Sequence, residues 1–304
     1  MSGSLTRHNR LLVLAREGRR QPSAITAIVV AFVTLAVSLI GGQILRRALI
    51  PLILGASAEG PLAEGVRDLV TFACGFVPIY LCLWAWLALW CKRPFSSLGF
   101  EDRHPLRHAL AGTSFGIVMM SLVAGGLAVL PRTTSTQGGL FTYGIVAGGG
   151  ALLTLGGTII QSSGEEVLFR GWLLPTIGAR YGAWVGIVVS SLLFGGAHAI
   201  NPNATLLGLF NLSLFGAFLA LLALAEGGLW AACAWHAMWN WTDNTLLGLP
   251  DSGGPSRIGV LVSIHPGGHR LVTGGAFGPD GGLVETAVLL IGIAVTAWRV
   301  SRAR

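Results

Sequence analysis

Runs of about 20 apolar residues recur along this chain, which is the length that an α-helix needs to cross a bilayer. Hydrophobic residues make up 53% of the 304 positions and charged residues only 11%, whereas a soluble domain carries about 25% charged residues. The sequence therefore predicts an all-α polytopic membrane protein and argues against one or two soluble domains.

Eight segments have the length and hydropathy of transmembrane helices. They run over residues 25–45, 68–91, 109–130, 143–163, 183–200, 205–225, 229–249 and 283–299. The fourth is expected to continue to about residue 178, because no proline interrupts it before Pro175. The first is interpreted as an uncleaved span, since it is too long for the apolar core of a signal peptide and no A-x-A site follows it.

The net charge of +7 arises mainly from arginines at the ends of these spans. Basic residues of this kind face the cytoplasm, so both termini are expected to be cytoplasmic, in a bacterial cytoplasmic membrane. No basic face interleaved with aromatic residues is present, so nucleic acid is not an expected partner. The four cysteines form no C-x-x-C pair, and neither a disulfide framework nor a cysteine metal site is predicted.

The stretch SGEEVLFRGWLLP, residues 163–175, places three charges in an apolar context. Charged residues within spans are costly and normally face the bundle interior, where they have a function. Glu166 and Arg170 are four residues apart with the acid first, which favours an ion pair. Glu165 points about 100° away and has no local partner, so it is the candidate general base. Alternatively, both acids lie at the membrane surface.

His198 ends the apolar segment SLLFGGAHAI, and a turn at residues 178–182 precedes that segment. Glu165 and His198 both lie about 22–27 Å along their helices from this turn. We therefore expect them at a similar depth, where they can share a water molecule. Gly195 and Gly196 are expected to let the two helices approach closely.

His236 and Asn240 are four residues apart in WHAMWNWTDN and share a helix face. Together they can donate hydrogen bonds to a developing oxyanion, although polar residues in spans often only bond across helices. Trp235 and Trp239 lie on another face and are expected to pack against lipid or a neighbouring helix. Asp243 has no second intramembrane aspartate in the sequence, which argues against an aspartic protease.

Three short motifs follow one another on separate late spans. They are Glu165-Glu166-x-x-x-Arg170, Phe194-x-x-x-His198 and His236-x-x-x-Asn240. In order and spacing they resemble the CPBP intramembrane protease family, which includes the CAAX prenyl endopeptidases (Ras-converting enzyme) and the bacterial Abi or bacteriocin-immunity proteins. RPFSSLGF, residues 93–100, is similar to the segment before the third span in that family. The resemblance covers roughly residues 92–249.

The resemblance implies an eight-helix membrane endopeptidase with a polar cavity inside the bilayer. It assigns water activation to Glu165 and His198, and oxyanion binding to His236 and Asn240. Together with the predicted spans and the composition of the loops, it divides the chain into parts. These are a basic cytoplasmic N-terminus at 1–24, N-terminal transmembrane helices at 25–140, protease-like catalytic helices at 141–249, a glycine-rich loop at 250–282, and the last helix with a basic tail at 283–304.

Two alternatives to this assignment remain open at the level of sequence. In one, Glu165, His198 and His236 bind zinc with one open position, while Glu166 and Arg170 support the site in either case. A metal-free site is favoured, because no H-E-x-x-H motif is present and no second shell is recognisable. In the other, the chain is a non-catalytic membrane immunity or transport protein. The expected partners are the lipid bilayer and a protein or peptide substrate, with lipidated substrates included.

Overall fold

A computed structural model describes residues 5–6, 8–55 and 58–302, and most of them are helical. Within this described part, seven helices are long and apolar enough to cross a membrane. The chain is therefore an all-α, integral, multi-pass membrane protein, as predicted. The seven helices cover Ala24–Leu54, Pro61–Cys91, Pro105–Ala128, Ile145–Tyr181, Ala183–Ile200, Leu206–Glu226 and Leu283–Arg302.

The secondary-structure elements are labelled in chain order. The α-helices are α1 Arg10–Leu14, α2 Ala24–Leu54, α3 Pro61–Trp86, α4 Pro105–Ala128, α5 Gly139–Tyr143, α6 Ile145–Glu166, α7 Leu174–Tyr181, α8 Ala183–Ala197, α9 Leu206–Glu226, α10 Trp230–Asn240, α11 Arg270–Thr273 and α12 Leu283–Arg302. The strands are β1 Thr134–Gln137 and β2 Val262–His265. Ser23 and Thr205 cap the starts of α2 and α9, because each side chain accepts a hydrogen bond from a backbone N–H three residues on.

Three of these helices change from α to π geometry at their C-terminal ends. The π segments are Leu87–Cys91 after α3, Val167–Leu173 after α6 and Trp241–Leu246 after α10. A π-turn re-aims the side chains that follow it and occurs often at functional sites. Two of the segments begin directly after Glu166 and Asn240. The sequence pattern did not predict them.

The predicted span 229–249 corresponds to α10 and its π segment. With 11 residues of α-helix and six of π-helix, it is shorter than the roughly 20 residues of a membrane crossing. Gly112 and Gly116 of α4 lie against the backbone of Ala231 and Trp235, where a larger residue would clash. The small residues let α4 and α10 pack closely, and α10 is therefore a buried central helix.

The close approach expected from Gly195 and Gly196 occurs at a different helix pair. A Cβ atom on Gly195 would meet Leu209 and Ser213 of α9, while Gly196 has nothing within 4 Å. The prediction that these glycines join the His198 helix to the Glu165 helix was wrong. The glycine-bearing face of α8 is turned toward α9, so it cannot also contact α6.

Within the glycine-rich loop, residues 250–282, the sequence predicts a hairpin between RIGVLVSI, residues 257–264, and HRLVTGG, residues 269–275, but these two segments do not pair. β2 pairs antiparallel with β1, with Val262 opposite Gln137. The expected partner segment, residues 269–275, instead begins with the helix α11, because the His269 side chain accepts a hydrogen bond from the Leu271 N–H. The predicted pairing of 257–264 with 269–275 was therefore wrong, and the strand partner comes from the segment after α4.

Side-chain bonds tie this loop to the helical bundle. Asn211 of α9 donates to the carbonyl oxygens of Asp280 and Gly282 at 2.8 and 3.0 Å. Arg257 forms a two-point ion pair with Asp68 of α3, in which the Nη2–Oδ1 distance is 2.9 Å. The loop therefore has a fixed position over one end of the bundle.

Candidate active site

Glu166 and Arg170 form the ion pair that their spacing predicts. Arg170 Nη1 donates to Glu166 Oε1 at 2.8 Å, and neither side chain has exposed surface. The guanidinium also lies over the Phe194 ring, 4.4 Å from Cζ to the ring centroid. Removing one partner of a buried pair leaves an uncompensated charge, so this pair fixes the helix segment that carries Glu165.

His236 of α10 joins the same carboxylate. Its Nδ1 lies 2.8 Å from Glu166 Oε1, the oxygen that also binds Arg170. An ionised carboxylate only accepts hydrogen bonds, so Nδ1 carries the hydrogen in this contact. His236 Nε2 then faces Glu165, 3.9 Å from Oε2. Glu166 therefore orients the ring of His236 toward Glu165.

Glu165 itself has a partner that the sequence analysis missed. Gln161 Nε2 donates to Glu165 Oε1 at 2.7 Å, so the prediction that Glu165 has no local partner was wrong. Its other oxygen, Oε2, has no hydrogen-bond partner among the described residues. The i, i+4 spacing of Gln161 and Glu165 could have revealed the bond, but an uncharged amide does not stand out in a search for ionisable residues.

Asn240 reaches this group through the same glutamine. Its Nδ2 donates to Gln161 Oε1 at 3.3 Å, and Ser162 Oγ donates to the same oxygen at 3.0 Å. Asn240 and His236 are on one face of α10, as expected from their spacing. The structure therefore brings Asn240 within one side chain of Glu165.

Aromatic rings enclose the ion pair. Phe194 of α8 and Phe215 of α9 stack with their centroids 5.7 Å apart, and Phe215 meets the ring of His236 edge-on at 4.8 Å. Trp235 and Trp239 are almost fully buried and pack against Phe215, so they face a neighbouring helix rather than lipid. Such a wall keeps water away, which strengthens the electrostatic interactions inside it.

His198 lies at the end of α8, next to this wall. Its Nδ1 is 2.8 Å from the carbonyl oxygen of Phe194, and because a carbonyl only accepts, Nε2 of the neutral ring is left as an acceptor. The His198 and Phe194 rings are 4.8 Å apart, and Phe194 lies 6.1 Å from His236. Over the described ranges, no hydrogen bond or ion pair joins His198 to Glu165.

The expected polar cavity does not coincide with any of three cavities, of about 350, 490 and 470 Å³, that lie elsewhere in the described part of the chain. The first surrounds Thr154 and Arg257, the second lies between α8 and α9, and the third lies beside Glu226. None of the three is lined by Glu165, His236 or Asn240. The candidate site is a packed polar cluster in this structure.

The zinc alternative fits these side chains poorly. No group of three His, Cys, Asp or Glu residues in the described ranges is placed to hold a metal ion. His236 has one ring nitrogen bonded to Glu166 and His198 has one facing the Phe194 carbonyl, an arrangement that is common in metal-binding histidines and leaves Nε2 available. The placement of Glu165, His198 and His236, rather than the bonding of their rings, is therefore what argues against a preorganised zinc site.

A second group of carboxyl side chains lies close by. Asp243, isolated in the sequence, interacts electrostatically with Asp251 and Asp280. The same three residues also interact electrostatically with Glu285 of α12. We call these four residues the loop carboxyl cluster, because two of them belong to the glycine-rich loop. Asp243 and Glu285 are fully buried, and among the described residues their carboxyl oxygens have no hydrogen-bond partner.

Asp251 connects the two groups of acids. Burial and repulsion from Asp280 and Glu165 raise the pKa of Asp251 to about 8, against the opposing effects of a Ser252 hydrogen bond and of Arg257. The influence of Glu165 on Asp251 means that the loop carboxyl cluster lies within electrostatic range of the candidate site.

Comparison with known proteins supports the resemblance drawn from the motifs. Residues 147–242 match the family described as Type II CAAX prenyl endopeptidase Rce1-like. The matched segment includes all three motifs and falls inside the predicted catalytic helices, 141–249. No curated protein and no solved structure matches the chain. The match therefore supports a peptidase of the CAAX-type intramembrane class.

Proposed function

We propose that this chain is an intramembrane endopeptidase that hydrolyses peptide bonds of membrane-associated proteins, including substrates with a prenylated CAAX-type C-terminus. Glu165 and His198 activate a water molecule, and His236 and Asn240 bind the oxyanion of the tetrahedral intermediate. The proposal combines the family match at residues 147–242 with the geometry of the polar cluster.

One observation carries the proposal: two adjacent glutamates have different partners. Glu166 is buried and is paired with the cation Arg170, and the same oxygen is bonded to His236. Among the described residues, Glu165 is bonded only to the uncharged amide of Gln161, and its Oε2 has no hydrogen-bond partner. A carboxylate in a desolvated place without a cation bonded to it is suited to accept a proton from water.

The chemistry follows from this arrangement. Glu165 Oε2 and His236 Nε2 are 3.9 Å apart, a gap that one oxygen atom bonded to both would span. A water molecule near Oε2 and His198 loses a proton to Glu165 as its oxygen attacks the substrate carbonyl carbon. The C–N bond then breaks, and the leaving amine takes that proton from Glu165.

The oxyanion requires donors during the attack. Asn240 Nδ2 carries a second hydrogen beyond the one bonded to Gln161. When the His236 ring is protonated on both nitrogens, Nε2 donates as well, while Nδ1 keeps its bond to Glu166. Loss of one such donor typically costs about 10²–10³ in kcat.

Replacement of Glu165 by glutamine tests the proposal. The purified wild type and Glu165→Gln are incubated with a library of membrane-anchored peptides, prenylated and unmodified, in H₂¹⁸O. The wild type should yield new C-termini that contain one ¹⁸O atom, and Glu165→Gln should lower the rate by about 10²–10⁴, the usual contribution of a general base. Glu64→Gln, the same change at an exposed position on α3, serves as the control and should cleave normally.

The same experiment separates the alternatives. Cleavage that survives Glu165→Gln would remove the assigned base, and the absence of any ¹⁸O-labelled product from the wild type would favour an immunity or transport protein. A parallel arm contains a chelator. Activity lost on chelation and restored by zinc would support the zinc-dependent version instead.

A further inference from the structure

Gln161 links the two parts of the proposed catalytic machinery. It lies one helical turn before Glu165 on α6, and its Nε2 donates to Glu165 Oε1 at 2.7 Å. Its Oε1 accepts from Asn240 Nδ2 at 3.3 Å. One amide side chain therefore contacts both the proposed base and a proposed oxyanion donor, which come from different helices.

The hydrogen-bond network fixes the orientation of the amide. Oε1 of Gln161 receives hydrogen bonds from Ser162 Oγ and Asn240 Nδ2, and only the oxygen of an amide can accept both. The NH₂ group is then the end that faces Glu165, whose ionised carboxylate requires a donor. A flipped amide would place its oxygen against the Glu165 carboxylate and its NH₂ against Asn240 Nδ2, losing both of those bonds, so a single orientation is favoured.

We infer that Gln161 is a positioning residue for the proposed reaction, which aligns the Glu165 carboxylate with the amide of Asn240. By holding Oε1 of Glu165, it leaves Oε2 as the oxygen that meets water. By holding one hydrogen of Asn240 Nδ2, it directs the other hydrogen. The inference rests on the proposed function, since it assigns Gln161 a task in that reaction.

A merely structural role makes a different prediction. Gln161 is half-buried in a transmembrane helix, and Gln161→Leu leaves Glu165 Oε1 and Asn240 Nδ2 without this hydrogen-bond partner, which lowers stability. A structural role alone would therefore lower the free energy of unfolding but leave the kcat of the folded variant unchanged. Misalignment of a reacting group by about 1 Å, in contrast, can cost about 10²-fold in rate.

The test compares kcat and KM of folded Gln161→Leu with the wild type. We expect kcat to fall about 10- to 100-fold with KM changed less than about 2-fold, since the substrate is not contacted. Gln161→Asn keeps the amide on a shorter side chain, so its kcat should lie between those of the wild type and Gln161→Leu. Gln43→Leu, on the exposed face of α2, is the matched control and should keep the wild-type kcat.

A double variant separates coupling from a general defect. If Gln161 acts through Asn240, Gln161→Leu should lower kcat much less in an Asn240→Ala background than in the wild type, because residues of one unit are not additive. Fully additive losses, or a wild-type kcat in Gln161→Leu, would overturn the inference. If Gln161→Leu does not fold, Gln161→Asn gives the same comparison. Activity that survives Glu165→Gln would instead refute the proposed function.

Discussion

The candidate site and the loop carboxyl cluster both bury acidic side chains, but they compensate them differently. At the site, Glu166 receives hydrogen bonds from Arg170 and His236, and Glu165 receives one from Gln161. The loop carboxyl cluster has Ser252 as a donor to Asp280, while its fully buried members Asp243 and Glu285 have no hydrogen-bond partner among the described residues.

This difference separates carboxyl groups that hold charge from carboxyl groups that hold protons. A buried carboxylate stays ionised when a cation or several donors offset its desolvation. Without them, the neutral acid is the form that burial favours. The raised pKa of Asp251, caused first by burial and then by Asp280 and Glu165, is the expected behaviour of the second kind.

Removal of the cation at the site should have the largest effect on stability. Arg170→Met leaves Glu166 buried with His236 as its remaining partner, and breaking a buried pair in this way costs about 3–5 kcal/mol. The free energy of unfolding, measured by denaturant titration of the protein in detergent micelles, should fall by that amount. Activity should fall with it, because the Glu166 carboxylate that orients His236 is no longer held in place by Arg170.

The double variant Glu166→Gln/Arg170→Met distinguishes lost charge compensation from lost packing. It removes both charges, so it should recover most of the stability lost in Arg170→Met. If the free energy of unfolding of Arg170→Met is within about 1 kcal/mol of the wild-type value, charge compensation would not distinguish the candidate site from the loop carboxyl cluster. A double variant no more stable than the single variant would attribute the loss to packing against Phe194.

Parts of the site that depend on one helix could be predicted from the sequence. The Glu166–Arg170 pair and the shared face of His236 and Asn240 follow from a spacing of four residues. Seven of the eight spans that hydropathy predicts are found, in their order, in the described part of the chain, whereas the remaining one, α10 with its π segment, is too short for a span of its own. In these cases the geometry is set within one element.

Contacts between elements could not be predicted, because they depend on how helices rotate against each other. The bond from His236 to Glu166 and the position of Gly195 against α9 are of this kind. The loop carboxyl cluster unites residues that lie up to 42 positions apart, from Asp243 to Glu285, and no periodic pattern connects them. The π segments that follow Glu166 and Asn240 also could not be predicted, because hydropathy does not distinguish π-helix from α-helix.

An intermediate effect is expected at Arg257, which opposes the rise in the pKa of Asp251 in the loop carboxyl cluster. Arg257 is bound to Asp68 of α3 in a two-point ion pair, so Asp68 is the acid that its charge chiefly compensates. Arg257→Met leaves the buried Asp68 with Thr154 as its donor, at a cost of about 1–3 kcal/mol. Limited proteolysis should then cleave residues 250–282 faster, because their anchor to α3 is lost.

Arg67→Met provides the control for this variant. Arg67 lies next to Asp68 but is exposed and bonds only to the Ala58 carbonyl among the contacts described for it. Its removal should change neither the free energy of unfolding nor the rate of cleavage in the loop by a measurable amount, since exposed charges contribute little. Equal effects of the two substitutions would mean that Arg257 does not anchor the loop.

The smallest effect concerns the pH dependence of Asp251. Its folded-state pKa of about 8 lies above the ordinary value of 3.8, so the folded state holds a proton that the unfolded state releases between about pH 4 and pH 8. Stability from this residue therefore falls as pH rises through that window and levels off above it. The Asp251→Asn variant cannot ionise at this position. Its unfolding temperature should therefore equal that of the wild type near pH 4 and exceed it at pH 8. The corresponding gain in the free energy of unfolding at pH 8 is about 1 kcal/mol after allowance for partial exposure.

Asp102, in the loop before α4, should respond to pH in the opposite sense. Burial alone would raise the pKa of Asp102, but hydrogen bonds from the His104 N–H and the His108 ring, at 2.9 and 2.5 Å, hold it below its ordinary value. The contribution of Asp102 to the free energy of unfolding is present at neutral pH and is lost on acidification. The Asp102→Asn variant should therefore be less stable than the wild type at pH 7, and the two proteins should have similar stability at low pH. Two Asp→Asn variants with opposite pH trends would exclude a general effect of the substitution. Parallel trends would contradict the division into charge-holding and proton-holding acids.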